Sequence, residues 1–365
     1  MKIVILTVWF DWWWSGKIAS IIENFLNKNH ETITLVYFED KWIYDIKWKK
    51  INIPSIFNLS FPWRWYIELI AHIIHTIKYI KIENPDIVIW IWTYCNLLWL
   101  IAKKIYNFKL LLTQHEHITS RKINTPKLLV YNLIYFITKK IIWTNKIICV
   151  SNEVRLDTIK CFKLKEKQAQ TIYNWLDFDL IESLWKEPLN VKEKYIINIG
   201  SLDDRKNQEM LIKAYSKSKC KNEYYLLLLW EWVKKEYLMN LVKDLWIEKN
   251  VIFAGFDKNP YKYLKNASMF CFTSLSEALP TVLIESLILK VPVLTVPVIW
   301  SKEILDDWNC WIITENWDID KYSKLMDEII VRDNSNMVNK WFWFAKENFE
   351  IKAMEKRYLE AINNL

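Results

Sequence analysis

The sequence predicts an α/β protein built of two Rossmann-like, doubly wound domains facing each other across a cleft. Three observations predict it. Short apolar runs alternate with amphipathic stretches from end to end, the pattern of parallel sheets flanked by helices. The alternation lapses once, over residues 174–191, and then restarts. The 365 residues are enough for two domains of ordinary size, and 52% hydrophobic with 25% charged residues marks a soluble globular chain. The expected divisions are an N-terminal domain at 1–173, a linker at 174–191 containing Pro188, a C-terminal domain at 192–335 and a closing amphipathic segment at 336–365.

In the first half the strands read as residues 2–8, 31–38, 86–91, 109–113 and 146–150. Ile67, Ile70, Ala71, Ile74 and Ile77 keep helical spacing between two of them, and Asn152–Cys161 follows the last strand as a helix. In the second half the strands fall near 195–199, 224–229, 251–253, 269–272, 292–296 and 311–313. Helices fill the gaps at Gln208–Lys217, Lys235–Leu245, Tyr261–Asn266, Thr281–Leu289 and Ile319–Val331, and the tail reads as helix over Asn336–Asn363. Ligands of such sheets bind at the carboxyl ends of the strands.

Composition excludes several classes. No stretch reaches the roughly 18 uninterrupted apolar residues of a spanning helix. The chain opens on a strand-like run without a charged leader or cleavage site, so a cytoplasmic protein is expected. The six Cys are scattered without a C-x-x-C, which signals neither a zinc knuckle nor a disulfide framework. Residues 1–190 hold 25 basic against 17 acidic side chains, whereas 191–365 are balanced, so the +8 charge belongs to the first half. Its centre is a basic, aromatic-rich segment, Leu128–Ile137 with Lys122, Lys127, Lys139 and Lys140. This segment suits peripheral contact with an anionic membrane, and equally a core helix with solvated lysines. No nucleic-acid recognition motif is present.

Two loops and one helix start carry chemistry. Trp9–Lys17 joins the first strand to a helix, the usual cradle for a phosphate, but Trp12, Trp13 and Trp14 would obstruct the approach. A Walker loop is ruled out by Asp11 and Ile18 at its first and last key positions. In the second half Gly200 opens a strand-to-helix loop with adjacent Arg205 and Lys206, cations suited to a diphosphate. Ser274–Ser286 holds two carboxylates with seven residues between them. Glu277 stands before a helix that Pro280 and Thr281 begin, and Glu285 lies about one turn inside it.

In this order the segments resemble the family 4 retaining glycosyltransferases of the GT-B fold (glycosyl transferases group 1). The resemblance runs through Ile148–Ser151, Ile172–Asp177, the Gly200–Asn207 loop, Leu229–Trp232, Val251–Phe256, the E-x7-E segment, Val291–Val293 and Trp300–Ile304. It implies a nucleotide-diphosphate sugar donor held by the C-terminal domain, and a glycan or lipid-linked acceptor held by the N-terminal one. It also implies a C-terminal helix packing back on the N-terminal domain. Lys206, helped by Arg205, would neutralise the departing diphosphate; Glu277 would contact the donor sugar and Glu285 the ribose. Gly16, Gly200, Ser274, Leu279, Pro280 and Thr281 would complete the donor site. His115 would orient donor or acceptor. Alternation puts His115 and His117 on one face, yet neither a metal nor a cofactor is expected. Ser201 stands where the family carries Arg, and Ala278 where it carries Gly. A non-catalytic sugar-nucleotide-binding protein and a nucleotide-sugar epimerase of the same plan stay open as alternatives.

The resemblance bears on an odd composition. The chain has 23 Trp and 3 Gly, together the roughly 26 Gly that a usage of ~7% gives a chain of this length. The family shows Gly where this chain has Trp175, Trp230 and Trp232, Gly near Trp246, Trp300, Trp308 and Trp311, and a Gly pair in the Trp12–Trp14 loop. The expectation is that UGA codons meaning Gly are written here as Trp; a true Trp-rich protein is the alternative.

Overall fold

Two parallel sheets form the cores of two separate units. The computed structural model describes residues 1–7, 15–37, 50–53, 74, 77–91, 106–115, 118–119, 146–174, 176–230, 234–275, 277, 279–297, 304, 312–313 and 317–365. One unit comprises Met1–Tyr173 and Glu355–Leu365, the other Asn174–Met354.

The first unit carries strands β1 (Lys2–Thr7), β2 (Glu31–Tyr37), β3 (Lys50–Ile53), β4 (Ile87–Ile91), β5 (Lys109–Gln114), β6 (Lys146–Cys149) and β7 (Ala169–Thr171). They form one parallel sheet in the order β3-β2-β1-β4-β5-β6-β7. β4, Ile-Val-Ile-Trp-Ile, is buried at every position, as a central parallel strand covered on both faces must be. Helix α1 (Ser15–Leu26) turns Ala19, Ile22, Phe25 and Leu26 inward. Helix α2 (Asn152–Phe162) starts where Ser151 Oγ accepts the Val154 N–H at 3.1 Å, satisfying one of the orphan donors of its first turn.

The second unit opens with α3 (Phe178–Leu184), which lies inside the span read as linker. Asp177 caps it, and Phe178 and Ile181 are buried. Its sheet runs β10-β9-β8-β11-β12-β13, all parallel, from β8 (Tyr195–Ile199), β9 (Tyr225–Leu229), β10 (Val251–Gly255), β11 (Met269–Phe272), β12 (Val293–Thr295) and β13 (Ile312–Ile313). Around it stand α4 (Gln208–Lys217), α5 (Lys235–Asp244), α6 (Tyr261–Asn266), α7 (Thr281–Ile288) and α8 (Ile319–Val331). The tail forms two helices, α9 (Ser335–Phe349) and α10 (Ile351–Asn363), with extended backbone at Glu350 between them. α9 buries Val338, Trp341, Ala345 and Phe349 and packs on α7 within the second unit. From Glu355 onward α10 belongs to the first unit. There Tyr358 meets Phe25 edge-on at 6.0 Å, and Lys146 Nζ donates to the Asn364 carbonyl at 2.6 Å.

The basic segment 128–137 and the Trp12–Trp14 loop lie outside the described residues, as do Trp175, Trp232, Trp300, Trp308 and Trp311. Among the described residues no helix is long and apolar enough to cross a membrane.

Two Trp occupy left-handed backbone. Trp246, 88% exposed, has φ +57 just after α5. Its N–H bonds to the Lys243 carbonyl at 2.9 Å, and the Ile247 N–H bonds to the Val242 carbonyl at 3.1 Å. This is the helix-ending motif whose left-handed position is ordinarily Gly. The left-handed Cβ penalty, roughly 1–2 kcal/mol, exceeds the 0.5–1 kcal/mol entropy cost of Gly. Trp246→Gly is therefore expected to raise stability by about 0.5–1 kcal/mol, read as an increase in the urea midpoint at unchanged slope.

Candidate active site

Each sheet reverses its strand order once. In the second unit the chain goes outward from β8 to β9 and β10, then returns to lay β11 against the other side of β8. The carboxyl ends of β8 and β11 therefore border the switch point, where doubly wound sheets bind ligands. Two loops leave from there, 200–207 into α4 and 273–280 into α7.

Gly200 is the first hinge of the site. Its φ is +154, and a Cβ on it would stand 3.2 Å from Cε and 3.3 Å from Cδ of Lys206. The bare backbone thus lets the Lys206 stem lie flat against it. The Lys206 N–H donates to Asp203 Oδ1 at 3.1 Å, and its carbonyl accepts the Thr273 hydroxyl at 3.0 Å. The Arg205 carbonyl accepts the Leu275 N–H at 2.7 Å. These bonds stitch the two loops together. At their junction Lys206 Nζ meets Glu277 Oε1 at 2.5 Å, with only 14% and 10% of the two side chains exposed. The loop is also held from below. The buried Gln208 amide donates to the Ser201 carbonyl at 2.9 Å and lies 3.4 Å from both the Gly200 carbonyl and Asn198 Oδ1.

Beyond Glu277 the chain enters α7, whose eight residues are all buried. Pro280 is the N-cap and Thr281 the first helical residue, one position later than a proline-led first turn predicts. The Thr281 hydroxyl is buried without a hydrogen-bond partner among the described residues. Within the same first turn the Leu283 N–H already donates to the Pro280 carbonyl at 3.0 Å, so it is the start of the helix, at Thr281 and Val282, that suits an anion. Glu285 lies within the helix, fully buried, and accepts the Tyr261 hydroxyl at 3.4 Å. Ser274 and Leu279 are buried beside the loop. Arg205 behaves differently from Lys206: its guanidinium is 55% exposed and 3.9 Å from Asp203. Ser201 donates its hydroxyl to the same Asp203 carboxylate at 2.7 Å.

Gly16 and His115 belong to the first unit. Gly16 is the second residue of α1, and His115 follows β5 at its carboxyl end. His115 Nε2 lies 2.8 Å from Thr113 Oγ1, and burial pushes the imidazole down to about 4, so the ring is neutral at pH 7. Asp157 of α2 accepts the N–H groups of Ile118 and Thr119 at 2.6 and 3.3 Å and the Thr119 hydroxyl at 2.8 Å, pinning the chain just beyond His115. His117 lies outside the described residues, and among those described no three His, Cys, Asp or Glu side chains converge to hold a metal. Thr113, Asp157 and Gln208 are the residues that sequence reasoning missed. Asp157 bonds residues 38 and 39 positions away, while Thr113 and Gln208 bond partners in their own segments through a geometry that only the folded chain displays.

At β9 the chain ends on Trp230, with φ +149. Its backbone bridges to Gly255, and its ring meets Phe256 edge-on at 4.9 Å.

Two Rossmann-like parallel sheets, the second with a lysine, a carboxylate and a helix start at its switch point, follow the two-domain plan of the GT-B fold. The model for Glycosyltransferase Family 4 matches residues 18–180 and that for Glycosyl transferases group 1 matches residues 181–341, and the chain belongs to this family. A Campylobacter jejuni N-acetylgalactosamine-N,N'-diacetylbacillosaminyl-diphospho-undecaprenol 4-alpha-N-acetylgalactosaminyltransferase is 38% identical over 131 residues, 36% of this chain. The chain spans about a third of that relative, 35% of its length. An uncharacterized glycosyltransferase of Methanocaldococcus jannaschii is 28% identical over 309 residues, covering 79% of this chain and 72% of that one. Among solved structures, Anabaena HepE in complex with UDP and glucose superposes with a TM-score of 0.82 at 14% identity, over 100% of both chains.

The fit of Lys206 over Gly200 is directly testable. Gly200→Ala crowds the Lys206 stem, whose Cε and Cδ would stand 3.2 and 3.3 Å from the new Cβ, and strains the backbone at φ +154. Transferase activity is expected to fall about tenfold or more, since small displacements of groups in a site carry costs of that order. Circular dichroism should report a folded protein; wild-type activity in this variant would show that the Lys206 position is not critical.

Proposed function

We propose that this glycosyltransferase moves a sugar from a nucleotide-diphosphate sugar to a glycan or lipid-linked acceptor in surface polysaccharide synthesis, with retention at the anomeric carbon. The observation that carries the reading is the Lys206–Glu277 pair beside the open start of α7, at the switch point of the second sheet. An ammonium has three donors, so Lys206 can keep one on Glu277 while the others take diphosphate oxygens. The Thr281 hydroxyl and first-turn N–H groups suit the same diphosphate, and Arg205 adds a second, more exposed charge. Glu277 then lies against the donor sugar, and Glu285 suits the ribose hydroxyls. Gly200, Ser274, Leu279 and Pro280 shape the donor site.

In the transfer, the bond from the anomeric carbon to the diphosphate oxygen breaks as the acceptor hydroxyl bonds to the same carbon on the same face. The proton of the acceptor hydroxyl passes to the departing diphosphate oxygen, and the negative charge that grows on the diphosphate is stabilised by Lys206. No metal or other cofactor takes part in this reading. The named undecaprenol-linked chemistry of the Campylobacter relative supports a lipid-linked acceptor. The excess positive charge of residues 1–190 suits a cytoplasmic enzyme resting on the anionic inner face of a membrane, with no nucleic-acid partner.

Glu277→Gln separates this reading from its rivals. The substitution frees Lys206 from its counter-ion, so affinity for UDP or GDP should hold or tighten by calorimetry. Turnover in a screen of UDP-, GDP- and ADP-sugars with acceptor should fall about a hundredfold or more. A wild type that binds nucleotide without turnover would be a binding module. One that converts the donor without acceptor would be an epimerase.

A further inference from the structure

The bonds around Thr113 determine how His115 presents itself. Thr113 Oγ1 lies 2.9 Å from the Trp90 carbonyl oxygen and 2.8 Å from His115 Nε2. A carbonyl only accepts, and a hydroxyl has one hydrogen, so Thr113 donates to Trp90 and must accept from His115. Nε2 therefore carries a proton. The alternative tautomer, with its proton on Nδ1, would set two lone pairs against each other at 2.8 Å. A doubly protonated ring also satisfies Thr113, but burial disfavours its charge, which leaves the neutral form. Nδ1 is then a lone-pair acceptor, and it has no hydrogen-bond partner among the described residues.

We propose that Thr113 is a positioning residue that holds His115 as the Nε2-protonated tautomer, so that Nδ1 accepts a hydrogen bond from a hydroxyl of the substrate. This rests on the transferase reading above. It assigns His115 the recognition of a hydroxyl rather than of a phosphate oxygen, which has no proton to give. The other nitrogen's bond sets which one is free, and β5 alternation puts Thr113 and His115 on one face of the strand.

The test is long-range proton–nitrogen NMR on the full chain labelled with nitrogen-15 histidine, with kinetics alongside. Wild type at pH 7 is expected to show His115 protonated at Nε2 alone. Thr113→Val removes the acceptor and keeps the shape; it should populate the second tautomer and lower kcat/KM about tenfold. Thr113→Ser should restore both. Nδ1 protonation in wild type, or an unmoved tautomer in Thr113→Val, overturns the proposal. So does a shifted tautomer with wild-type kcat/KM. A wild type that turns over no donor sinks the transferase reading and with it the substrate role of Nδ1, while the NMR result separately decides the tautomer.

A different observation carries a second inference. Trp246 at φ +57 and Trp230 at φ +149 stand in backbone that L side chains avoid, and both are positions where glycine is favoured. We infer that the source cell makes glycine at both, from UGA codons. Gene sequence and mass spectra of the protein from its own cells decide it. UGA codons with peptides lighter by one indolylmethyl group per site are expected, and UGG codons or intact Trp peptides overturn it.

Discussion

The ion pair between Lys206 and Glu277 is the constraint around which the second unit is arranged. With so little of either side chain exposed, each charge supplies the other's counter-charge. The pair can form only because two loops far apart in sequence leave adjacent strands at the same edge of the sheet. It also needs Gly200 to clear a path for the lysine stem and the Thr273 hydroxyl to anchor the lysine carbonyl.

The first unit uses the same kind of sheet for a different end. Where the second unit positions a charge, the first positions a neutral ring. Thr113 orients His115 from within β5, and Asp157 holds the following chain from α2. Both partners come from structure that precedes any substrate, which matches the general need of transfer enzymes for groups fixed before the reaction begins.

Most of the architecture was legible because buried parallel strands must be apolar on both faces, so β1, β4, β8 and β9 stand out as unbroken runs. β3 and β7 did not, since Lys50–Ile53 and Ala169–Thr171 are short, and β7 is the edge of its sheet with exposed Gln170. α3 was hidden for a related reason: seven residues carry too few apolar positions for a period, and its stability comes from burying Phe178 and Ile181. In the site, Lys206, Glu277 and Glu285 were marked by their order along the chain. Their environments were not, and Glu285 proves wholly buried against Tyr261 while Glu277 faces a lysine.

Local pattern by itself determined the two-sheet plan, most of the strand and helix order and the family resemblance, because burial and motif spacing are written in neighbouring letters. Tertiary structure alone decided which loops meet, that Lys206 closes on Glu277, that the Lys206 stem lies against the bare Gly200 backbone, and which nitrogen of His115 holds its proton. Those depend on pairings across as many as 71 residues of chain, and the strand crossing that makes them is a property of the folded sheet.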